Sequence, residues 1–167
     1  MALIIQSIVL CIIFTLLILP PLFKDPLSQI LSYPPAIQKR VASLPQYKDS
    51  LQTTKSRNLA RKIVGSLIGV FILAALAYLS GKTTFFAAYV HVFVLFFVVN
   101  MLDLFLFDLV IFTRSKRVII PGTEDMTKEY KNPLHHIKGA FKGLLLGALA
   151  ALLAASIVVL AATIAPR

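Results

Sequence analysis

The chain has 167 residues, of which 58% are hydrophobic and 14% are charged, and its mean hydropathy is +0.85. This length would suit one soluble domain, but so high an apolar content is typical of integral membrane proteins and excludes an ordinary water-soluble globular protein. The net charge of +10 is compatible with nucleic-acid binding or with a membrane surface, and the positions of the basic residues distinguish the two.

Four apolar segments are long enough to cross a bilayer as helices: about 2–20, 63–80, 84–112 and 134–164. No segment shows the period-2 alternation of a transmembrane barrel. The predicted fold class is therefore all-α, a polytopic membrane protein with a bundle of four transmembrane helices. We expect a single integral membrane domain over residues 1–167, with two longer loops at 21–62 and 113–133.

The basic residues are concentrated in those two loops. Of 17 Lys and Arg, eight lie between Lys24 and Lys62 and seven between Arg114 and Lys142. This bias is the positive-inside signature and predicts a cell-membrane protein with both long loops in the cytoplasm and both termini outside. We expect the loops to attract anionic lipid head groups, by about 1 kcal/mol per basic residue near the surface, and do not expect nucleic acid as a partner. The candidate head-group contacts are Lys39, Arg40, Arg57, Arg61 and Lys62.

The first helix and the loop after it are divided by prolines. Pro20 and Pro21 predict the end of the first helix, since proline cannot continue the hydrogen-bond ladder. Asp25-Pro26 predicts a new helix start, with an N-cap carboxylate followed by proline at the first helical position. After Pro34-Pro35, an apolar stripe recurs at helical spacing at Ile37, Val41 and Leu44. We predict two short amphipathic helices in the cytoplasmic membrane interface; a solvated loop with chance periodicity is the alternative.

Small residues mark two of the apolar segments as packing surfaces. The second segment carries Gly65, Ser66 and Gly69. In the last segment a small residue recurs at every fourth position: Gly139, Gly143, Gly147, Ala151 and Ala155. Such ladders let another helix approach closely. We favour a partner helix within the same chain, with a second subunit as the alternative.

The third apolar segment carries Asn100, Asp103 and Asp108. A carboxylate near the middle of a spanning helix costs roughly 2.5–3.5 kcal/mol, so it needs a partner or a function. At 100° per residue, Asn100 and Asp103 share an arc of about 60° with Tyr89 and Arg114, which predicts a polar seam with Asp108 to one side.

His91 points away from that seam. A membrane histidine can bind haem or relay protons, but the chain offers no second histidine in the same half of the membrane. We therefore interpret His91 as a hydrogen-bonded core histidine.

The second loop leads into the last helix. Pro121-Gly122 indicates a turn. We predict that Thr123 caps a short acidic helix containing Glu124, Asp125 and Glu129. Asn132-Pro133 then opens the last helix with the same cap-then-proline order as Asp25-Pro26.

Polar residues from the third segment, the second loop and the last helix converge on the predicted cytoplasmic side. They are Asn100, Asp103, Asp108, Glu124, Asp125, His135, His136 and Lys138. Three hypotheses stay open: a divalent metal bound by Asp103, Asp108 and His136; a proton or cation pathway through Asp103; and a structural ion pair of Asp103 with Lys138 or Lys142.

The segment Ile120-Pro121-Gly122-Thr123-Glu124-Asp125-Met126, followed by Lys128, Tyr130, Lys131 and His136-Ile137-Lys138-Gly139, resembles a family of small four-helix bacterial membrane proteins of Gram-positive type. The similarity extends to Asn100, Asp103 and Asp108, and to the proline-punctuated segment after the first helix. It implies that Asp103, Asp108, Glu124, His136 and Lys138 form one recurring constellation. It implies no activity.

These observations predict a small transport, channel or accessory subunit. Four helices make a thin wall for a pathway, so transport would favour a homo-oligomer. The alternatives are a metal-dependent enzyme acting on a lipid or membrane-proximal substrate, with His136 as ligand or general base, and a lipid-binding scaffold that uses the basic loops.

Overall fold

The computed structural model describes residues 1–165, without the side chains at positions 49, 50, 52 and 55. Pro166 and Arg167, part of the predicted single domain, lie outside the described residues. The α-helices are α1 (Ala2–Lys24), α2 (Pro35–Ser43), α3 (Lys48–Leu79), α4 (Phe85–Leu102), α5 (Phe112–Arg114), α6 (Thr127–Tyr130) and α7 (Pro133–Ile164). Short 3₁₀ helices cover Pro26–Ser32, Pro45–Tyr47 and Lys116–Val118, and a π-helix covers Asp103–Ile111.

Within residues 1–165, four helical stretches are long and apolar enough to cross a membrane: Ala2–Lys24, Ser56–Leu79, Phe85–Arg114 and Thr127–Ile164. The prediction of an all-α chain with four such stretches is confirmed. The third stretch joins α4, the π-helix and α5 into one continuous rod, because no break separates Leu102 from Asp103 or Ile111 from Phe112.

Helix α4 occupies the centre of the arrangement. It packs along α7, contacts α3 on an adjacent side, and is covered by α1 on another. The junction of α3, α4 and α7 is filled by small buried side chains, among them Ala77, Ala88, Val92, Ala151 and Ala155. Side chains of this size let three helix axes come close together, so that dispersion contacts between backbones replace side-chain bulk.

The glycine ladder of α7 meets α4 at two of its steps. A Cβ at Gly143 would lie 2.5 Å from Asn100 Oδ1, and one at Gly147 would overlap the Phe96 ring. Gly139 has no heavy atom within 4 Å of that position. The contact surface of the ladder therefore begins at Gly143.

The small-residue face of α3 has no such neighbour. At Gly65 and Gly69 nothing lies within 4 Å of where a Cβ would be. Helix α3 instead meets the bundle further along, through Ala74 and Ala77.

Helix α1 continues through Pro20 and Pro21 to Lys24, so the predicted end at residue 20 is wrong. The helix continues because two adjacent prolines remove only two backbone donors, while the turn beyond them is held by other contacts. Leu22 is 1% exposed, and the Asp25 amide donates to the Pro21 carbonyl at 2.9 Å.

The two loops fold together into a compact unit, here called the cap, made of residues 26–47 and 115–131. Its core combines buried side chains of both loops and the adjoining helix ends: Leu22, Ile30, Tyr33, Ile37, Val41, Leu51, Phe112, Val118, Ile120 and Tyr130. The Tyr33 hydroxyl donates to the Val118 carbonyl at 2.7 Å. Burial raises the pKa of the Tyr33 phenol, because the charged form loses its hydration.

The amphipathic segments of the first loop exist, but their apolar faces are buried within the cap. Ile30, Ile37 and Val41 are all 0% exposed, so these side chains are not available to lipid. The prediction that this stripe lies on the membrane is wrong, because a protein core covers it. The first segment is also a 3₁₀ rather than an α-helix, and Asp25 makes no side-chain cap to it.

Helix α3 begins at Lys48, well before the predicted start at residue 63. Its early turns lie against the cap through Leu51, Thr54 and Asn58, which are at most 7% exposed. The Asn58 side-chain amide donates to the Ser28 carbonyl. Tertiary packing therefore stabilises a polar stretch of helix whose sequence carries no apolar run.

Candidate functional site

The centre of the candidate site is a close contact between an aspartate of the third stretch and a histidine of α7. His136 Nδ1 lies 2.9 Å from Asp108 Oδ1, with side chains that are 2% and 21% exposed. The pair brings together two of the residues singled out from the sequence, 28 positions apart in the chain.

Local structure positions each partner. His136 stands in the first turn of α7, which the Asn132 side chain caps by accepting from the Leu134 amide at 3.0 Å, as the Asn132-Pro133 order predicts. Asp108 stands in the π-helix. In a π-helix the backbone hydrogen bond joins residues five apart, so Asp103 and Asp108 lie nearly above one another. In an α-helix they would diverge by about 140°.

The predicted seam therefore fails beyond Leu102. Up to that residue the α-helical spacing holds, and Asn100 and His91 point to opposite sides of α4, toward α7 and α1 respectively. From Asp103 onward the extra residue in each turn changes the register. Arg114, the last residue of the predicted seam, is exposed. The sequence carries no pattern that predicts the π-helix.

The His136 ring is enclosed by aromatic side chains. The Phe112 ring lies 5.4 Å from it, centroid to centroid, and so does the His135 ring. Its Nε2 atom is buried and has no hydrogen-bond partner among the described residues. Since Nδ1 faces a carboxylate oxygen, the geometry assigns the proton of a neutral ring to Nδ1 and leaves the lone pair on Nε2.

Asp103 and Asn100 extend the site along α4. The Asn100 amide donates to the Ala140 carbonyl at 3.1 Å, which ties α4 to α7. Asp103 forms no ion pair among the described residues. Lys138 and Lys142, the expected partners of Asp103, are exposed and form no ion pair in the described part of the chain.

The other predicted site residues have partners in the cap. Glu124 accepts from the Gly122 amide at 2.9 and 3.0 Å with its two carboxylate oxygens. Asp125 lies 3.6 Å from Arg40, with both side chains largely exposed. His135 Nε2 lies 3.4 Å from the Ser32 carbonyl. The structure thus separates Glu124 and Asp125 from the buried pair, whereas the His135 ring also stays in contact with the His136 ring.

The Pro-Gly-Thr-Glu segment has a structural role in the cap. Thr123 is 0% exposed; its hydroxyl donates to the Ile120 carbonyl at 2.7 Å and lies 2.7 Å from the Tyr130 hydroxyl. The Ile120 amide donates to the same Tyr130 oxygen at 3.0 Å. The prediction that Thr123 caps a helix is therefore wrong, because the short helix α6 starts at Thr127. The Thr123 side chain instead links Ile120 to Tyr130 within the second loop.

The donor set for a metal ion is incomplete in this geometry. Across the described residues, no group of three or more His, Cys, Asp or Glu side chains is arranged to hold a metal ion. Asp108 and His136 contact each other through Oδ1 and Nδ1, and no third His, Cys, Asp or Glu side chain of the described residues joins them in a ligand set.

A second polar network lies at the far end of the bundle. His91 is 5% exposed, and its Nε2 lies 2.8 Å from Gln6 Oε1. The Gln6 amide in turn donates to Ser80 Oγ at 3.0 Å. The interpretation of His91 as a hydrogen-bonded core histidine is confirmed. Gln6 and Ser80 were not among the predicted site residues, although a lone Gln in an apolar helix is a signal that points to Gln6.

The two networks are separated by apolar packing. Between Asn100 and Tyr89, helix α4 presents Val92, which is fully buried, and Phe96, which sits against Gly147. A groove of about 400 Å³ between α1 and α4 has an almost wholly apolar lining. On this face of α4, buried apolar side chains therefore separate the two polar networks.

Comparison with protein-family models, curated proteins and solved structures finds no match to the chain. The resemblance noted from the Pro-Gly-Thr-Glu segment therefore stays a prediction, and the site must be interpreted from its own geometry.

Proposed function

We propose that this chain is a non-enzymatic integral membrane protein, a small transport or accessory subunit, whose inner polar site binds a proton. The observation that carries the proposal is the 2.9 Å contact of His136 Nδ1 with Asp108, together with the buried and unpartnered Nε2. Two ionisable groups in mutual contact inside a spanning segment are rare and usually functional.

The chemistry of the pair favours proton uptake. A neutral His136 ring donates its Nδ1 hydrogen to Asp108, so Nε2 is the atom that can accept a proton. Uptake converts the ring to an imidazolium beside a carboxylate, and the opposite charges then stabilise each other at close range. Release returns the ring to a neutral donor without breaking the contact.

The enclosure of the site favours a small species. Nε2 has almost no accessible surface, so a substrate or hydrated cation cannot reach it unless the packing around Phe112 opens. The cap closes the same end of the bundle through the buried side chains of Tyr33 and Tyr130. A proton is the one species that such a site can receive by small movements of neighbouring groups.

We place the cap and the inner site in the cytoplasm, and both termini outside the cell membrane. The support is the charge pattern: fifteen of the 17 basic residues belong to the cap or the helix ends beside it. Lys39, Arg57, Arg61 and Lys62 are exposed there and are the proposed contacts with anionic head groups, together with Arg40, which also lies 3.6 Å from Asp125. If the function is transport, a homo-oligomer must supply the path, since the packing within one chain leaves none.

Nuclear magnetic resonance of ¹⁵N-histidine tests the proposal. The chain has three histidines, so labelled protein in lipid nanodiscs gives three sets of imidazole signals, which single His→Gln variants assign. We expect the Nδ1 and Nε2 signals of His136 to differ between wild type and Asp108→Asn over the pH range in which the ring takes up a proton, since Nδ1 then faces a neutral amide instead of a carboxylate. The signals of His91, which belongs to the other polar network, are the internal control. His136 signals that are the same in wild type and Asp108→Asn at every pH would overturn the proposal.

Proteoliposomes with an internal pH dye then separate the two roles. Under an imposed potential, a proton flux that is lost in His136→Gln and kept in His135→Gln assigns transport. If the wild type shows no proton flux while Asp108→Asn still changes the His136 signals, the result assigns an accessory role.

A further inference from the structure

The groove between α1 and α4 is large enough to hold a ligand. Its volume of about 400 Å³ falls in the range of ligand sites, roughly 300–1,000 Å³. The lining runs along α1 from Ser7 to Leu16 and includes Val98 and Leu102 of α4. Both helices belong to stretches that are apolar enough to cross a membrane, so the groove lies at the depth of the lipid chains.

The hydroxyl groups of the groove are engaged within α1. Ser7 Oγ donates to the Leu3 carbonyl and Thr15 Oγ1 donates to the Cys11 carbonyl, both at 2.8 Å. Because these hydrogen atoms are already shared with the backbone one turn earlier, α1 presents a nearly apolar wall. The groove therefore suits a hydrocarbon chain rather than a polar substrate.

A cluster of basic residues, here called the basic patch, lies where α1 and the third stretch end beside the cap. It consists of Lys24, Arg114, Lys116 and Arg117, none of which is among the head-group contacts predicted from the sequence. All four residues are exposed, and none forms an ion pair among the described residues. Asp25 is the one acidic residue in the segments 20–30 and 112–120, so the patch keeps an excess of positive charge that attracts an anion.

Local contacts bring the two parts of the patch together. The guanidinium carbon of Arg117 lies 5.6 Å from the centre of the Phe23 ring, which is within the range of a cation–π contact. The Ser115 side chain accepts from the Arg117 amide at 3.3 Å and so fixes the turn that follows the third stretch. Since Phe23 directly precedes Lys24, Arg117 lies beside the end of α1.

The groove and the basic patch lie on the same two helical stretches, within reach of one lipid molecule. Leu16, the last groove residue of α1, precedes Lys24 by eight residues, which is about 12 Å along the helix. Beyond the groove α1 stays against the third stretch, since the Phe14 and Phe107 rings lie 5.7 Å apart. One leaflet accounts for half of a hydrocarbon core of about 30 Å, so an acyl chain that starts at the patch reaches the groove.

We propose that the groove and the basic patch form a binding site for one anionic phospholipid of the cytoplasmic leaflet, with the phosphate at Lys24 and Arg117 and one acyl chain in the groove. A neutral lipid would leave the excess charge without a partner. Copies of the chain in one membrane share an orientation, so α1 of a second copy in the groove would bring two basic patches to the same depth, where like charges repel. The site does not use His136 or Asp108 and stands apart from the proposed function.

Cys11, the one cysteine of the chain, lines the groove and reports whether it is occupied. Its rate of alkylation by a maleimide is measured on the full chain in neutral detergent micelles as lipid is added. We expect phosphatidylglycerol to protect the thiol at concentrations at least about tenfold lower than phosphatidylcholine, since basic residues favour the anionic head group. The double variant Lys24→Gln, Arg117→Gln should lose this preference. Lys128→Gln with Lys131→Gln removes two exposed cations of the second loop outside the patch and should keep it.

Native mass spectrometry gives a second measurement, which leaves the charges unchanged. We expect wild type to retain one phosphatidylglycerol, Ile12→Trp to lose it because the indole fills the groove, and Ile13→Trp, at an exposed position outside the lining, to retain it.

Three results would overturn the proposal. They are equal protection of Cys11 by the two lipids, protection by glycerol phosphate, which has the anion but no acyl chain, and protection that rises with protein concentration as dimers form. The last result would assign the groove to a second copy. The proposed function is tested separately on the His136 signals, so neither failure implies the other.

Discussion

The sharpest structural prediction concerns a single methyl group added at successive steps of α7. At Gly147 a Cβ would overlap three atoms of the Phe96 ring, and at Gly143 it would lie 2.5 Å from Asn100 Oδ1. At Gly139 it would meet nothing within 4 Å. Three Gly→Ala variants of one helix therefore differ only in what the methyl group meets.

The expected magnitudes follow from two opposing terms. Replacing a helical glycine by alanine is favourable by roughly 0.5–1 kcal/mol where space allows, so Gly139→Ala should be neutral or slightly stabilising. Overpacking costs about 1–3 kcal/mol, and Gly147→Ala should reach this range because a ring fixed between two helices cannot rotate away. Gly143→Ala should fall between them: Asn100 can move, but it then loses its bond to the Ala140 carbonyl, worth about 1 kcal/mol.

Equilibrium unfolding in mixed micelles, with increasing denaturing detergent and detection by circular dichroism, gives the three free energies. From the most to the least stable, the expected order is Gly139→Ala, Gly143→Ala, Gly147→Ala. Equal losses at Gly139 and Gly147 would refute the packing of α7 on α4. A loss at Gly147 seen only in an oligomeric fraction would instead assign the ladder to a contact between subunits.

Three further predictions use the same unfolding assay. Tyr33→Phe should cost about 1 kcal/mol through the lost bond to the Val118 carbonyl. The pKa of Tyr33 is raised in the folded state, so the free energy of unfolding of the wild type should fall above a pH of about 10, where the phenol of the unfolded chain ionises. The free energy of unfolding of Tyr33→Phe should fall less steeply over the same pH range. Equal slopes of unfolding free energy against pH would contradict the burial of Tyr33. Gly122→Ala should destabilise more than Gly81→Ala: both positions have positive φ, 87° and 73°, but only at Gly122 does a Cβ meet a neighbour, Leu44 at 2.7 Å. Gln6→Leu should lower the free energy of unfolding by about 1 kcal/mol, because it leaves His91 unpartnered. Ser7→Ala removes only a hydrogen bond within α1 and should be nearly neutral. Similar losses of unfolding free energy in both variants would show that the network does not hold α1 in place.

Much of the fold was open to prediction because its signals are local. A run of about 20 apolar residues meets the length requirement of a bilayer wherever it stands in the chain, so the four stretches could be placed without tertiary knowledge. The cap-then-proline order at Asn132 is equally local, since the side chain bonds a backbone amide two residues away.

The errors arose where a distant contact outweighed a local preference. Pro20 and Pro21 predict a helix end, yet α1 continues because Leu22 is buried in the cap. Ile37 and Val41 form an amphipathic stripe, but periodicity does not say whether an apolar face meets lipid or protein. The polar turns of α3 could not be predicted, since their stability comes from packing against the cap.

For the site, the sequence determined which residues carry ionisable groups at membrane depth and that they come from two helices and a loop. Only the tertiary structure decided which of them meet. The π-helical register turns Asp108 toward His136, and the packing of α7 on α4 brings Asn100 to the Ala140 carbonyl, whereas Lys138 and Lys142 stay exposed. The physical reason is that one extra residue in a helical turn changes the direction of the following side chains by a large angle. The choice between α-helical and π-helical geometry depends on contacts with neighbouring helices, which no local sequence pattern records.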